Sequence, residues 1–206
     1  MFGLLAVTFW AVFDQLGSSV TLVAERYVDR QFGPFQIPAG FVQAVNPFMV
    51  VTIGIFLSFR AVRKVGSGTA SRRMNFLFFG LLLLGVGFAL LALGSIGIVP
   101  SDTRVKMSWL WIVFAILMAT LGELLFAPQL SSLLSGLSPA KRRSLIMVAW
   151  SATAGLGSYL SGTMSGLMGG VSHLSIFFAI STLACWLIAA VFAVTVRAMQ
   201  RSNTLR

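Results

Sequence analysis

The chain has 206 residues, of which 57% are hydrophobic and only 10% are charged, and this excludes an ordinary soluble domain, in which about a quarter of the residues are charged. The net charge of +10 does not indicate a nucleic-acid-binding protein, because the Lys and Arg residues lie in connections between long apolar runs. The run 76–93 lacks the alternation of a barrel strand, so we predict an all-α membrane protein with several spans.

Six apolar runs predict six transmembrane helices. Short connections that contain Gly and Pro separate these runs, so neighbouring helices must be antiparallel. The first run begins almost at Met1 and has no basic leader, and we therefore expect that the chain starts inside a longer protein. The predicted helices cover residues 2–27, 38–60, 73–97, 108–136, 143–169 and 174–198.

The distribution of Lys and Arg predicts the orientation in the membrane. Eleven of the 15 basic residues fall in the second connection, the fourth connection and the C-terminal tail, and the other four fall on the opposite side. Because basic residues are concentrated in cytoplasmic loops, we expect both termini in the cytoplasm. The eleven residues are Arg60, Arg63, Lys64, Arg72, Arg73, Lys141, Arg142, Arg143, Arg197, Arg201 and Arg206.

The first predicted helix carries Asp14 as its only charge before residue 25. A carboxylate in the hydrocarbon core costs at least about 2.5–3.5 kcal/mol, so it needs a partner, a proton or a water-filled cavity. Trp10 lies one turn earlier on the same face of the helix. Its indole could line a substrate pocket or stack on a cation, or it could be an ordinary packed aromatic residue.

The second predicted helix contains Asn46 followed by Pro47, and the fourth contains Glu123 with Pro128 five residues later. Glu123 is the only charge in the 33-residue run 107–139. A proline inside a helix removes a backbone hydrogen bond, so Pro47 and Pro128 are predicted helix kinks that free backbone acceptors. Beside a lone carboxylate or amide such a kink favours a cavity, although it would also suit a curved helix that packs on its neighbours.

The positions of the two acids suggest an internal repeat. Asp14 in the first helix and Glu123 in the fourth are equivalent if three helices are followed by three helices of inverted topology. At about 1.5 Å per residue the two acids lie on either side of the midplane, so we do not expect direct contact between them. The fifth helix carries small residues at a spacing of three or four, which predicts close packing or a sliding surface: Ser151, Gly155, Ser158, Gly162 and Gly166.

Four segments together resemble the second half of proton-dependent oligopeptide transporters, the peptide-transporting branch of the major facilitator superfamily. Residues 9–19 (FWAVFDQLGSS) resemble the seventh helix of that family. Residues 37–47, with an initial IP and a final QAVNP, resemble the start of its eighth helix. Residues 122–128 (GELLFAP) resemble the tenth helix, and Trp150 falls at the tryptophan of the eleventh. The chain is most similar to bacterial dipeptide and tripeptide permeases.

The resemblance implies a function. The chain would be the C-terminal six-helix lobe of a proton-coupled symporter that imports short peptides across the bacterial inner membrane, with protons and membrane lipid as further partners and with no cofactor. The N-terminal lobe, which in this family supplies the cationic partners of the acids, is missing from this sequence.

The resemblance also implies roles for individual residues. Glu123 would receive the amino terminus of the peptide, and Asn46 would bond the peptide backbone. Trp10 and Trp150 would line the pocket. Asp14 would join proton coupling to the outer gate.

Other functions stay open at this point. A half-size membrane protein that assembles with a partner would use the small residues of the fifth helix for contact, and neither acid would affect a flux. A related symporter could carry another small molecule, because the missing lobe largely sets the cargo. An enzyme is not expected, since the sequence has no Ser/His/Asp set and no phosphate-binding loop, and its single Cys and single His cannot build a metal site alone.

Overall fold

The apolar runs form helices. The computed structural model describes residues 2–61 and 70–204, and within these ranges α-helices account for nearly all regular structure. The all-α prediction is therefore confirmed. A short antiparallel hairpin, β1 (Gln31–Phe32) and β2 (Phe35–Gln36), lies between the second and third helices. The helices are α1 (Phe2–Phe13), α2 (Ser19–Tyr27), α3 (Phe41–Ala61), α4 (Ala70–Gly94), α5 (Trp109–Leu137), α6 (Arg143–Leu167) and α7 (Leu174–Thr204).

Four helical segments are long and apolar enough to cross a bilayer, since about 20 helical residues span a hydrocarbon core of about 30 Å. α3 has a shorter apolar part, and α6 is 25 residues long but rich in Ser, Thr and Gly. The described residues thus support a multi-pass membrane protein, while the count of six spans stays a prediction. The four segments are Phe2–Tyr27, Arg72–Gly94, Trp109–Gly136 and Leu174–Ala198.

α4 packs closely against α5, with glycine at the points of closest approach. A Cβ atom added to Gly80 would lie 2.9 Å from the Gly122 carbonyl oxygen, and one added to Gly87 would lie 2.7 Å from the Ala115 carbonyl oxygen. Residue numbers rise along α4 as they fall along α5, so the two helices are antiparallel. Glycine lets the two backbones touch, which is a common way for membrane helices to associate.

α7 covers another side of α4 and also runs antiparallel to it. Trp186 Nε1 donates a hydrogen bond of 3.4 Å to the Leu82 carbonyl oxygen, and Leu174 N donates one of 3.0 Å to the Ile98 carbonyl oxygen just beyond α4. Phe88 and Phe178 fill the space between these two points, with ring centroids 6.1 Å apart. α4, α5 and α7 therefore form one tightly packed group.

The first predicted helix is interrupted. α1 ends at Phe13, a 3-10 turn covers Asp14–Leu16, and α2 begins only at Ser19. The span predicted over 2–27 therefore agrees in extent with the apolar segment Phe2–Tyr27, but its helix is interrupted at the acid. Gly17 and the two serines that follow it have low helix propensity, and serine side chains compete for backbone hydrogen bonds, which favours a break at this place.

The connection between α4 and α5 folds back onto the end of α2. Tyr27 Oη donates a hydrogen bond of 2.7 Å to the Pro100 carbonyl oxygen, and Met107 N donates one of 2.7 Å to the Tyr27 carbonyl oxygen. In the same connection the Arg104 guanidinium binds both carboxyl oxygens of Asp102, and this contact holds the pKa of that carboxyl below its ordinary value. The connection thereby ties the first span to the α4–α5 pair.

The orientation of the bundle in a membrane rests on the basic residues alone. Arg63, Lys64 and Arg206, which contribute to the predicted charge asymmetry, lie outside the described residues. Which end of the bundle faces the cytoplasm therefore stays a prediction.

Replacement of Gly122 by alanine should destabilise the protein. The new methyl group would lie 2.7 Å from the Gly80 carbonyl oxygen and 3.1 Å from the Leu84 amide nitrogen, and overpacking of this kind costs about 1–3 kcal/mol. The control is Gly155→Ala on α6, where an added Cβ meets no described atom within 4 Å. The free energy of unfolding, measured by titration with a denaturing detergent, should fall only for Gly122→Ala. Equal values for the two variants would contradict the close α4–α5 contact.

Candidate functional site

Asp14 lies half-buried at the break in the first span, with its carboxyl group toward α6. Its Oδ2 accepts a hydrogen bond of 2.5 Å from Ser158 Oγ. The Asp14 carbonyl oxygen accepts hydrogen bonds from Gly17 N at 3.1 Å and from Ser18 Oγ at 3.3 Å, and these bonds close the 3-10 turn. Among the described residues the only ion pair is in the α4–α5 connection, so no Lys or Arg in this part of the chain pairs with Asp14.

The irregular backbone at this break also provides an acceptor to α3. Gln43 Nε2 donates a hydrogen bond of 3.2 Å to the Gly17 carbonyl oxygen. Asn46 follows Gln43 by three residues and therefore lies on the same face of α3. That face presents one amide side chain to the broken span and another to α5.

Glu123 lies half-buried on α5, next to Asn46. Asn46 Oδ1 accepts a hydrogen bond of 2.6 Å from Thr120 Oγ1, which lies one turn before Glu123 on α5, and this brings the Asn46 side chain beside the acid. Glu123 Oε2 is buried and has no hydrogen-bond partner in the described part of the chain. Leaving a buried acceptor unsatisfied is costly, so this oxygen is a site for a proton or for a donor from a ligand.

The two acids lie on elements that both contact the same face of α3, through Gln43 and Asn46. No hydrogen bond joins the two carboxyl groups in the described structure. The broken span, α3 and α5 thus surround a region with two acids and no described cation. Such a region suits a proton or a cationic group of a ligand.

Aromatic side chains line the α1–α6 side of this region. The rings of Trp10 and Trp150 approach with centroids 6.2 Å apart, so the structure brings the two predicted pocket tryptophans together. Gly157 makes this approach possible, because a Cβ atom added there would overlap the Trp10 side chain. Phe9 stacks on Phe126 of α5 with centroids 4.1 Å apart. Trp10 Nε1 is buried without a hydrogen-bond partner in the described residues.

A row of side-chain hydrogen bonds joins the broken span to α6 and α7. The sequence reasoning missed these pairs, although serines 158, 161 and 165 have the spacing of one helix face. Residue numbers rise together on both sides, so α6 runs parallel to the first span. The pairs are Ser18–Ser161 at 2.9 Å, Ser19–Ser165 at 2.8 Å and Gln15–Ser181 at 3.2 Å.

Among the described residues, only one member of the small-residue stripe of α6 makes a hydrogen bond with the broken span, since Ser158 bonds Asp14. A Cβ atom added to Gly155, Gly162 or Gly166 would meet no described atom within 4 Å. Close packing at these three glycines is therefore not found within the described chain, and Gly157 makes the close contact instead. The stripe remains available as a surface.

Pro47 and Pro128 lie inside helices that continue through them. α3 covers Phe41–Ala61 and α5 covers Trp109–Leu137 without an interruption at either proline. The kinks at the two prolines therefore stay predictions.

Comparison with known proteins identifies the family. The sequence profile of the POT family matches residues 1–197. The chain belongs to the POT family. The peptide transporter YePEPT of Yersinia enterocolitica is 28% identical over 165 residues, which cover 78% of this POT chain and 31% of the relative. The di-/tripeptide transporter of Lactococcus lactis is 29% identical over 150 residues, which cover 70% of this chain and 29% of the relative. The chain thus spans about a third of the length of the curated relatives it matches.

Solved POT structures share the fold. A POT family transporter in complex with 5-aminolevulinic acid gives a TM-score of 0.78 at 18% identity, covering 94% of this chain and 39% of that one. A peptide transporter of the family in complex with sulfate gives 0.80 at 15% identity, covering 97% and 39%. At this level of sequence identity, the comparison with these structures shows only that the fold is shared. The resemblance inferred from the sequence motifs is confirmed by the family match.

Loss of the Ser18–Ser161 hydrogen bond should weaken the contact between the broken span and α6. In a cycle of Ser18→Ala, Ser161→Ala and the double variant, the coupling free energy of unfolding should be about 0.6 kcal/mol, the mean for polar pairs between membrane helices. The control is Ser151→Ala, because the Ser151 hydroxyl bonds the Met147 carbonyl oxygen of its own helix at 3.2 Å. It should show no coupling to Ser18→Ala. Strictly additive effects of the first two substitutions would refute the contact.

Proposed function

We propose that this POT chain is the C-terminal six-helix lobe of a proton-coupled symporter that imports di- and tripeptides by alternating access. The observation that carries the proposal is the buried and unpartnered Glu123 Oε2 beside Asn46, in a chain whose relatives include peptide transporters. A carboxylate in an apolar span is expected to be functional, because a ligand or a proton must offset its desolvation.

Glu123 receives the ammonium group of the peptide in this proposal. A charge-assisted hydrogen bond of about 2.7–2.9 Å would satisfy the free carboxyl oxygen. Asn46 lies beside that position and offers its amide to the first peptide unit. Trp10 and Trp150, with centroids 6.2 Å apart, provide an aromatic wall for a side chain of the cargo.

Asp14 carries the proton coupling. It lies where α1 gives way to the 3-10 turn, so a change in its charge acts on the irregular part of the first span. Protonation of Asp14 would alter its bond to Ser158, which is 2.5 Å long. In this proposal the charges of the two acids repel each other, so a proton at one acid and a cationic cargo at the other are energetically linked. The proton gradient is the energy source, and no cofactor is required.

An N-terminal six-helix lobe supplies the cationic partners of the acids. This proposal is supported by the coverage of relatives, since the chain spans 31% of YePEPT and 39% of a solved POT structure. α3 and α6 complete six spans, arranged as two inverted repeats of three. The α6 face that carries Gly155, Gly162 and Gly166 meets the other lobe, and the two lobes rock around the midplane.

The transporter lies in the bacterial inner membrane with both termini of this lobe in the cytoplasm.

A symporter for another small amine is the second candidate. Similar solved structures include POT transporters in complex with 5-aminolevulinic acid, with a thioalcohol-conjugated peptide and with alafosfalin. Glu123 and Asn46 would receive the amino group of such a compound in the same way as that of a peptide. Competition between dialanine and 5-aminolevulinic acid for uptake separates the two cargos.

Replacement of Glu123 by glutamine should strongly weaken peptide binding in the full-length transporter. The amide keeps the size of the side chain and removes the charge that holds the ammonium group, and hydrogen bonds to a charged group contribute about 1.5–3 kcal/mol, or about ten- to 150-fold in affinity. Dialanine binding to purified protein, measured by calorimetry, should therefore fall by at least about tenfold.

Asp14→Asn is the matched variant, since it makes the same change at the other acid. It should keep dialanine binding and peptide exchange in proteoliposomes but lose accumulation driven by an acid exterior. Unchanged affinity in Glu123→Gln, or retained acid-driven accumulation in Asp14→Asn, would contradict these assignments. If neither acid affects any flux, the chain is instead a membrane assembly module.

A further inference from the structure

The Thr120 hydroxyl has more acceptors than it has hydrogens. Thr120 is fully buried on α5, one turn before Glu123. Its Oγ1 lies 2.6 Å from Asn46 Oδ1 and 2.7 Å from the Ile116 carbonyl oxygen. A hydroxyl carries one hydrogen, and both neighbouring oxygens are acceptors. The hydroxyl can therefore donate fully to only one of them at a time.

One arrangement suits an ionised Glu123. Thr120 donates its hydrogen to Asn46 Oδ1, and this leaves the Asn46 NH₂ group to donate to the Glu123 carboxylate. The Ile116 carbonyl oxygen loses the hydroxyl but keeps the backbone N–H of Thr120, which lies four residues later in the helix. The Thr120 hydroxyl hydrogen and one Asn46 hydrogen then have acceptors, and the carboxylate is satisfied on one side.

A second arrangement suits a protonated Glu123. The Asn46 amide turns over, and its NH₂ group donates to Thr120 Oγ1, which accepts while its own hydrogen goes to the Ile116 carbonyl oxygen. Asn46 Oδ1 now faces Glu123 and accepts the carboxylic acid hydrogen. The two ends of an amide have the same shape and opposite hydrogen-bonding roles, so the same positions accommodate both arrangements.

We propose that Thr120 is a positioning residue that determines which end of the Asn46 amide faces Glu123, and that its hydroxyl hydrogen moves between Ile116 and Asn46 as Glu123 gains or loses a proton. The inference rests on the function proposed above for Glu123 and Asn46. The cargo would then meet an amide donor or an amide acceptor according to the protonation of Glu123. A proton signal would thus reach the peptide-binding amide through one buried hydroxyl.

Few other charges face Glu123. The 3-10 turn of the first span carries the charged Asp14, and from α3 the neighbouring group is the neutral Asn46. α4 meets α5 through Gly80 and Gly122. Arg73 of α4 bonds Ser132, which lies more than two turns beyond Glu123 on α5. α1 meets α5 through stacked phenylalanine rings. Within the described residues, the hydrogen-bond switch therefore competes with one charge, that of Asp14.

The test uses Thr120→Val, Thr120→Ser and a matched control in the full-length transporter. Valine has the shape of threonine without the hydroxyl, and serine keeps the hydroxyl. The control is Thr182→Val, because Thr182 is also buried, at 5% exposure, and its hydroxyl donates 3.0 Å to the Phe178 carbonyl oxygen of its own helix. If Thr120→Val fails to accumulate, Thr120→Ala takes its place.

Two readouts are measured in each variant. The KM for dialanine uptake should rise about three- to tenfold in Thr120→Val, the scale of one hydrogen bond, and stay near the unaltered value in Thr120→Ser and Thr182→Val. The protonation of Glu123 is followed by the infrared band of its carboxylic acid, and this band is assigned by comparison with Glu123→Gln. The pH midpoint of the titration should move by about half a unit in Thr120→Val alone.

Several outcomes would overturn the inference. If Thr120→Val matches Thr182→Val in both readouts, the Thr120 hydroxyl has only a structural role. If dialanine uptake and the Glu123 titration change as much in Thr120→Ser as in Thr120→Val, the hydroxyl is not the group responsible. If the unaltered protein takes up no dialanine, the proposed function fails, and the infrared titration still decides the role of Thr120.

Discussion

A carboxylate in the hydrocarbon core must be satisfied by a donor, a proton or water, and the polar features of this bundle follow from that requirement. The helix break at Asp14 removes regular backbone bonds and brings the carboxyl group to Ser158 at 2.5 Å. Gln43 uses a carbonyl oxygen that the break exposes, and this positions the amide face of α3. Asn46 on that face then accepts a hydrogen bond from Thr120, one turn before Glu123. The need to satisfy two acids thus explains why four elements converge on one region.

The bundle joins its helices in two different ways. α4, α5 and α7 meet through backbone contacts at glycine and through the packed rings of Phe88 and Phe178, which allow little rearrangement because any shift creates overlap or a void. The first span meets α6 through the close contact of Gly157 with Trp10 before the break, and through pairs of hydroxyl groups after it, each worth only about 0.6 kcal/mol in membranes. Hydroxyl pairs can exchange partners at small cost. The acid at the break therefore lies where close packing gives way to contacts that are easier to shift, which supports its proposed role in coupling.

Composition and periodicity predict the helices well because lipid requires long apolar helical segments. α4 and α5 begin and end within a few residues of the predicted limits, since both are uniformly apolar between polar connections. The break in the first span depends on the residue run 17–19, which also occurs within intact helices, so local propensity alone does not decide it. The stripe on α6 shows the same limit, because two faces of that helix carry small residues. Gly157 makes the close contact with α1 because Trp10 and the α1 backbone lie against it, and this position is not visible in the sequence.

The candidate site was predictable in its charged residues and not in the groups that position them. A lone acid in an apolar run stands out in any sequence, and the family motifs indicate Asn46 and the two tryptophans. Thr120 carries no such signal, because a threonine in a membrane helix usually bonds its own backbone. Its second contact, to Asn46, exists only because α3 and α5 cross at that level.

The most direct test of the central claim is a structure of the full-length transporter with a bound dipeptide. The account predicts that the peptide nitrogen lies about 2.7–2.9 Å from a carboxyl oxygen of Glu123, with Asn46 on the first peptide unit and Trp10 and Trp150 against the cargo. A peptide whose ammonium group binds elsewhere, with Glu123 still without a ligand, would contradict it.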